Sequence, residues 1–178
     1  MITLLFNRLI TRVASRRPPD FVVGGQDNPY LCRWYLIPRN RVVNIYLHHF
    51  LRDDDDRALH DHPWFWCSVL LSGNYIEHTI ARGGIHKRRE RTAGNIKFST
   101  PWRPHRIELL PLWRVQDDWD DAVDLWLKTP DERAPCWTLF ITGPVLRKWG
   151  FHCPDKGWVP WQQFTDPTDK GLTGRGCE

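Results

Sequence analysis

The segment LHDHPWFWCSVLLSGNY, residues 59–75, decides how the chain is read. Two histidines stand one residue apart, followed by an aromatic and aliphatic run and then a Gly-Asn pair. On a β-strand, residues i and i+2 project from the same face, so His60 and His62 point together while Asp61 points away. Two imidazoles converging on one side of a sheet are a ready pair of metal ligands. The plainer reading is the polar start of a buried strand. A third ligand has to arrive from another strand, and His105 in PWRPHRIELL (101–110) is the best placed. It follows Gly94, Pro101 and Pro104, which turn the chain and start a new strand. The candidate set is therefore His60, His62 and His105.

Around this segment the chain reads as short strands punctuated by turns. LCRWYLI (31–37), RVVNIYLHHF (41–50), YIEHTIA (75–81), IHKRRER (85–91), IKFST (96–100), HRIELL (105–110) and CWTLFIT (136–142) are strand candidates. Gly73-Asn74, Gly83-Gly84 and Ala93-Gly94-Asn95 tolerate positive φ, and each reads as a hairpin turn. Turn signals every eight to twelve residues, roughly, point to a sandwich or barrel. Fourteen Pro and eleven Trp also favour an all-β domain over a helical bundle. Two helices are expected beside the strands. In MITLLFNRLITRVASRR, Ile2, Leu5, Phe6, Leu9, Ile10 and Val13 recur near helical spacing, which predicts a helix packed on the barrel wall. With only basic charges among them, a transit peptide or membrane-surface helix is the alternative. In the insertion 113–135, Trp119, Val123, Trp126 and Leu127 predict a short amphipathic helix. The expected organisation is one domain over 1–178. It comprises a helix and connector (1–30), a barrel carrying the insertion (31–149) and a C-terminal wrap (150–178).

The net charge of +4 is mild. Arg82, Lys87, Arg88, Arg89 and Arg91 form a basic cluster. Asp53 to Asp56, and Asp117, Asp118, Asp120, Asp121 and Asp124, form two acidic runs that would repel phosphates. The cluster therefore reads as a solvated strand face, and nucleic acid is disfavoured as a partner. Five scattered cysteines with no CxxC pair fit reduced thiols in a cytoplasmic protein. No stretch approaches the ~20 apolar residues of a membrane span. A small-molecule ligand is the expected partner, and a homodimer is compatible with the sequence.

HDHPWFWCSVLLSG (60–73) and GNIKFSTPWRPHRIE (94–108) together resemble the two motifs of the cupin superfamily, in the right order, over about residues 40–145. The resemblance implies a double-stranded β-helix (jelly-roll) barrel holding a divalent metal on His60, His62 and His105. The glutamate that cupins add to this set would fall at Trp66 or Cys67, and neither is a carboxylate. Three neutral histidines resemble the thiol dioxygenase branch, typified by cysteine dioxygenase. That implies Fe(II), with Zn, Ni or Mn also compatible, and a dioxygenase reaction on a small anionic or thiol substrate. The branch also implies that Arg33, on an early strand, holds a substrate carboxylate. Its late tyrosine is missing, with Ile141 at the approximate position, so cysteine as substrate is not implied.

A site left with a 2+ charge favours an anionic substrate, with Arg33 or Arg106 as counter-ion. Trp64, Trp66 and Trp102 are candidates for an aromatic pocket, and equally for barrel core. His48 and His49 lie on opposite strand faces; if His48 faces inward it supports the site or fills the core. Cys67 is a soft ligand if it faces inward and a core residue if it faces outward. A redox-silent isomerase or hydrolase is the alternative and would need Tyr46, Glu77 or Glu108 as general base, with Tyr46 also a substrate contact. A non-catalytic module binding a metal or small molecule is the third reading.

Overall fold

The computed structural model describes residues 2–54, 58–116, 121–122, 127, 129, 131–168 and 172–178. Helix α1 (Ile2–Ala14) precedes β1 (Phe21–Val23), β2 (Leu31–Tyr35), β3 (Asn44–Phe50), β4 (Leu59–His60), β5 (Trp66–Ser72) and β6 (Asn74–Ala81). Next come β7 (Ile85–Thr92), β8 (Ile96–Ser99), β9 (His105–Leu109) and β10 (Cys136–Thr142). Strands β11 (Gly150–Cys153) and β12 (Gly157–Pro160) and a closing helical turn, Trp161–Phe164, complete the described elements.

The strands form two six-stranded antiparallel sheets, ordered β1-β2-β3-β10-β5-β8 and β12-β11-β4-β9-β6-β7. From β3 to β10 the chain crosses from one sheet to the other at every connection except β6–β7. The resulting quartets, β3-β10-β5-β8 and β4-β9-β6-β7, are the strand order of a jelly roll, so the barrel is a cupin-type double-stranded β-helix. Side-chain alternation drives the closure. In β10, Cys136, Thr138, Phe140 and Thr142 are buried; in β9, His105, Ile107 and Leu109 are. These inner faces meet in a core of Leu31, Phe50, Leu70, Tyr75, Ile107, Leu109 and Cys136, drawn from both sheets. Each fully buried aliphatic side chain there contributes about 1.5–3 kcal/mol.

The first sheet is also covered outside, which is why RVVNIYLHHF is apolar on both parities. Phe6, Leu9, Ile10 and Val13 of α1 pack on Trp34, Leu47 and Leu71. Leu5, assigned to that apolar face by its spacing, is 56% exposed, so the buried stripe is narrower than the pattern predicts.

Two of the three expected hairpins are corners instead. Gly83 and Gly84 do close the β6–β7 hairpin, with Gly84 N–H donating to Ala81 O. Gly73, at φ +80°, carries the chain from one sheet to the other. A Cβ there would meet Pro135 O at 2.6 Å, so the corner needs glycine. Ala93-Gly94-Asn95 makes the equivalent crossing from β7 to β8. The insertion begins with a 3-10 turn, Leu112–Val115. The helix expected over Trp119, Val123, Trp126 and Leu127 falls mostly outside the described residues.

The tail does wrap the barrel. Strand β11 pairs with β4, and the Thr165–Thr173 bridge folds the terminal segment back. The expectation of reduced thiols throughout is corrected here: Cys153 and Cys177 form a disulfide, because the wrap returns residues 24 apart in sequence to one point. Cys32, Cys67 and Cys136 are free. Among the described residues no helix is long and apolar enough to cross a membrane.

Candidate metal centre

His60 ends β4 and lies directly opposite His105 on β9 in the antiparallel ladder. His62 lies beyond the end of β4, and its side chain returns to the same side. The three rings form a triangle with centroids 4.9, 5.1 and 5.2 Å apart. One ligand atom from each lies within 4.8 Å of the others, and Nε2 of His62 stands 2.9 Å from Nε2 of His105. Among the described residues this is the one group of histidine, cysteine and carboxylate side chains close enough to share an ion.

Carboxylates stand behind two of the three rings. His105 Nδ1 donates to Glu77 Oε1 at 3.1 Å, which leaves Nε2 as a lone-pair donor toward the cluster. His60 Nδ1 lies 3.1 Å from Asp54 Oδ2, but neither of these buried atoms completes a hydrogen bond among the described residues. Burial holds the His62 and His105 imidazoles well below their usual range, reinforced by their neighbouring histidines, so both are neutral and fit to ligate. The donor set therefore fits a divalent transition metal: three converging imidazoles, one of them oriented by a carboxylate, and no thiolate.

Asp61 points away from the cluster as the strand pattern requires, but it is not solvated. It is 1% exposed and accepts four hydrogen bonds: from Arg147 Nη1 at 2.7 Å, Gly150 N at 2.9 Å, Trp158 Nε1 at 3.0 Å and His152 Nε2 at 3.1 Å. The middle residue of His60-Asp61-His62 thus anchors the C-terminal wrap to the ligand strand. The sequence contained this signal, an acidic residue between two ligands and a tail carrying Arg147, His152 and Trp158, but nothing in it announced that they meet.

The histidines open onto a cavity of about 240 Å³ between the sheets. Arg33, His48, Trp64, Trp66, Thr138 and Phe140 line it on one side, and Phe164, Thr165, Leu172 and Thr173 of the wrap close it. The question of Trp66 or Cys67 is settled by strand parity. Trp66 is inside, its ring centroid 5.0 Å from His105 and 5.4 Å from His62, and it fills the place where a carboxylate ligand was sought. Cys67 faces outward, between Ile141 and Phe98 in the ladders, so it is neither ligand nor pocket residue.

Other candidates move as well. Trp102 is 62% exposed and touches Phe65 edge-on outside the barrel. Arg106 lies on the outer face of β9, its Nη2 3.3–3.4 Å from the His78 ring nitrogens, because its neighbours His105 and Ile107 take the inner face. His78 is buried in that outer cluster, with Nε2 at 2.6 Å from Glu108. Tyr46 projects from the same face of β3 as His48, buried with Trp66 and Phe140, stacked 5.7 Å from His48 and 5.0 Å beneath the Arg33 guanidinium, but it does not line the cavity. Arg33 and His48 do reach the cavity, and Arg33 Nε donates to His48 Nε2 at 2.8 Å. The sequence offered Glu77 only as a general base. It is committed to His105, Arg91 and Lys97.

No protein-family model matches the chain, and no curated protein matches its sequence. Solved structures do resemble it. An Fe(II) HppE in complex with substrate aligns at 12% identity and TM-score 0.46 over 71% of this chain and 56% of its own. Hydroxypropylphosphonic acid epoxidase from S. wedmorenis, in complex with fosfomycin, aligns at 13% identity and TM-score 0.44, covering 71% and 57%. A double-stranded β-helix protein from Klebsiella pneumoniae aligns at 14% identity and TM-score 0.43, covering 73% and 90%. The chain spans little more than half the length of the first two. The metal reading stands on its own imidazoles.

Proposed function

We propose that this chain is a metal-dependent cupin enzyme that holds Fe(II) on His60, His62 and His105 and oxidises a small anionic or thiol substrate with O2. The observation that carries the reading is the convergence of three imidazoles on a cavity whose wall includes the cationic Arg33. A bound Fe(II) would supply the redox chemistry and open positions for O2 and substrate. The protein's own residues do the rest. Glu77 fixes the ring orientation of His105 through the bond to its Nδ1. Arg33 supplies positive charge for the substrate anion, and Trp64, Trp66 and Phe140 keep the cavity apolar.

Against isomerisation or hydrolysis, the two glutamates that could serve as general bases are committed elsewhere: Glu77 is held by three donors and Glu108 is outside the barrel.

The test is metal analysis of protein purified without an affinity tag, followed by oxygen uptake over a panel of small thiols and diketones. Stoichiometric iron is expected in the wild type and none in His60→Ala/His62→Ala. Uptake should stop in His105→Ala. Metal that survives the double substitution, or uptake indifferent to His105→Ala, would sink the proposal.

A further inference from the structure

Arg33, His48 and Thr138 form a row across the first sheet. Arg33 stands opposite His48 in the β2–β3 ladder, and Thr138 stands opposite His48 in the β3–β10 ladder. All three reach the cavity. A guanidinium can only donate, so the 2.8 Å contact makes His48 Nε2 an acceptor. Burial and the Arg33 charge hold the His48 imidazole well below its usual range, so the ring is neutral and its single proton sits on Nδ1. Stacking against Tyr46 and Phe140 keeps the ring from turning. The bond from Arg33 is the one hydrogen bond shown for the His48 side chain among the described residues, which leaves Nδ1–H available to a ligand in the cavity. The Thr138 hydroxyl, on a residue 2% exposed, has no hydrogen-bond partner among the described residues. A buried hydroxyl left unpaired in a cavity wall is costly unless a ligand or water completes it.

We propose that His48 is a substrate-binding residue locked in one tautomer by Arg33, whose Nδ1–H joins the Thr138 hydroxyl and the terminal N–H groups of Arg33 in receiving an anionic oxygen of the substrate. The row lies on the first sheet, while His60 and His105 sit on the second. The ligand class follows from that separation: a small molecule with a carboxylate or similar oxyanion at one end and a metal-binding group at the other. The metal-binding end rests on the function proposed above; the anion end does not. Arg33 here both supplies charge and fixes which nitrogen of His48 carries the proton. Arg33 is held for this by packing near the Phe21 and Tyr46 rings.

The experiment uses metal-free, 15N-labelled protein at neutral pH, with histidine tautomers read by long-range 1H–15N correlation and malonate as the probe. His48 should show the Nδ1–H pattern, and malonate should shift its Nδ1–H signal. Thr138→Val and His48→Gln should weaken malonate about tenfold, whereas His48→Asn, which returns an amide group to the Nδ1 position, should stay within about threefold. An Nε2–H tautomer, an unshifted Nδ1–H, or wild-type affinity in both Thr138→Val and His48→Gln would overturn the proposal. Metal content is measured in parallel. Malonate bound at His48 in a chain that takes up no metal would defeat the proposed function and leave this inference standing. Metal uptake without malonate at His48 would do the reverse.

Discussion

Glu77→Gln tests the centre from behind. Glu77 is 2% exposed and faces His105, Arg91 at 2.8 Å and Lys97, with both basic side chains only 13% exposed. Glutamine fills the same space but removes the charge, leaving two largely buried cations facing an amide. Breaking a buried pair by neutralising one partner costs about 3–5 kcal/mol. For a domain of this size that lowers Tm by roughly 6–20 °C. Loss of the carboxylate that orients a ligand imidazole lowers metal affinity about 10–100-fold. Urea unfolding of the metal-free protein measures the first quantity, and competition against a chromogenic chelator measures the second. Glu77→Gln/Lys97→Met separates them. Removing one orphaned cation should restore part of the stability and none of the metal affinity. Metal binding by Glu77→Gln within about threefold of wild type would show that His105 does not depend on the carboxylate behind it.

Three further outcomes are expected. Burial alone would raise the Asp61 carboxyl, but hydrogen bonds from His152, Arg147 and Gly150 N hold it below its ordinary 3.8. Its stabilisation is therefore complete above pH 3.8 and lost as pH falls through the lower native value, so Asp61→Asn should flatten the acid limb of stability against pH. Parallel wild-type and variant profiles from urea midpoints would refute this. Cys177→Ser opens a loop of sequence separation 24 and should cost about 3 kcal/mol, matched by wild type in reductant; an unchanged Tm in both would count against the staple. Arg106→Ala, on the outer face, should leave metal and malonate binding unchanged and cost less than about 1 kcal/mol. A loss of malonate binding would return Arg106 to the pocket.

Much of the barrel was legible because strand parity is local. His60 and His62 share a side, Asp61 opposes them, and CWTLFIT is a strand over its whole quoted length. Gly73 was misread for the same reason. A positive-φ glycine between two strands looks alike whether the chain folds back in one sheet or crosses to the other, and only β10 packing against the corner distinguishes them. His105 was found from its turn context. Glu77 was not seen as its support, because 28 residues separate them and only the β6–β9 register places the carboxylate behind the ring. The Cys153–Cys177 bridge was missed because an odd, scattered cysteine count says nothing about which two a wrapping tail will bring together.

The basic cluster on β7 gains a purpose from its place at the free edge of the second sheet. A free edge presents unpaired N–H and C=O groups to any passing strand, and lysine and arginine along it deter that pairing. Lys87, Arg88, Arg89 and Arg91 occupy half of that eight-residue strand. The edge of the first sheet at β8 is only four residues long and exposes Ile96 and Phe98 instead. One border is thus guarded by charge and the other by brevity. Salt screens charge and leaves length untouched, so self-association that grows with ionic strength should begin along β7.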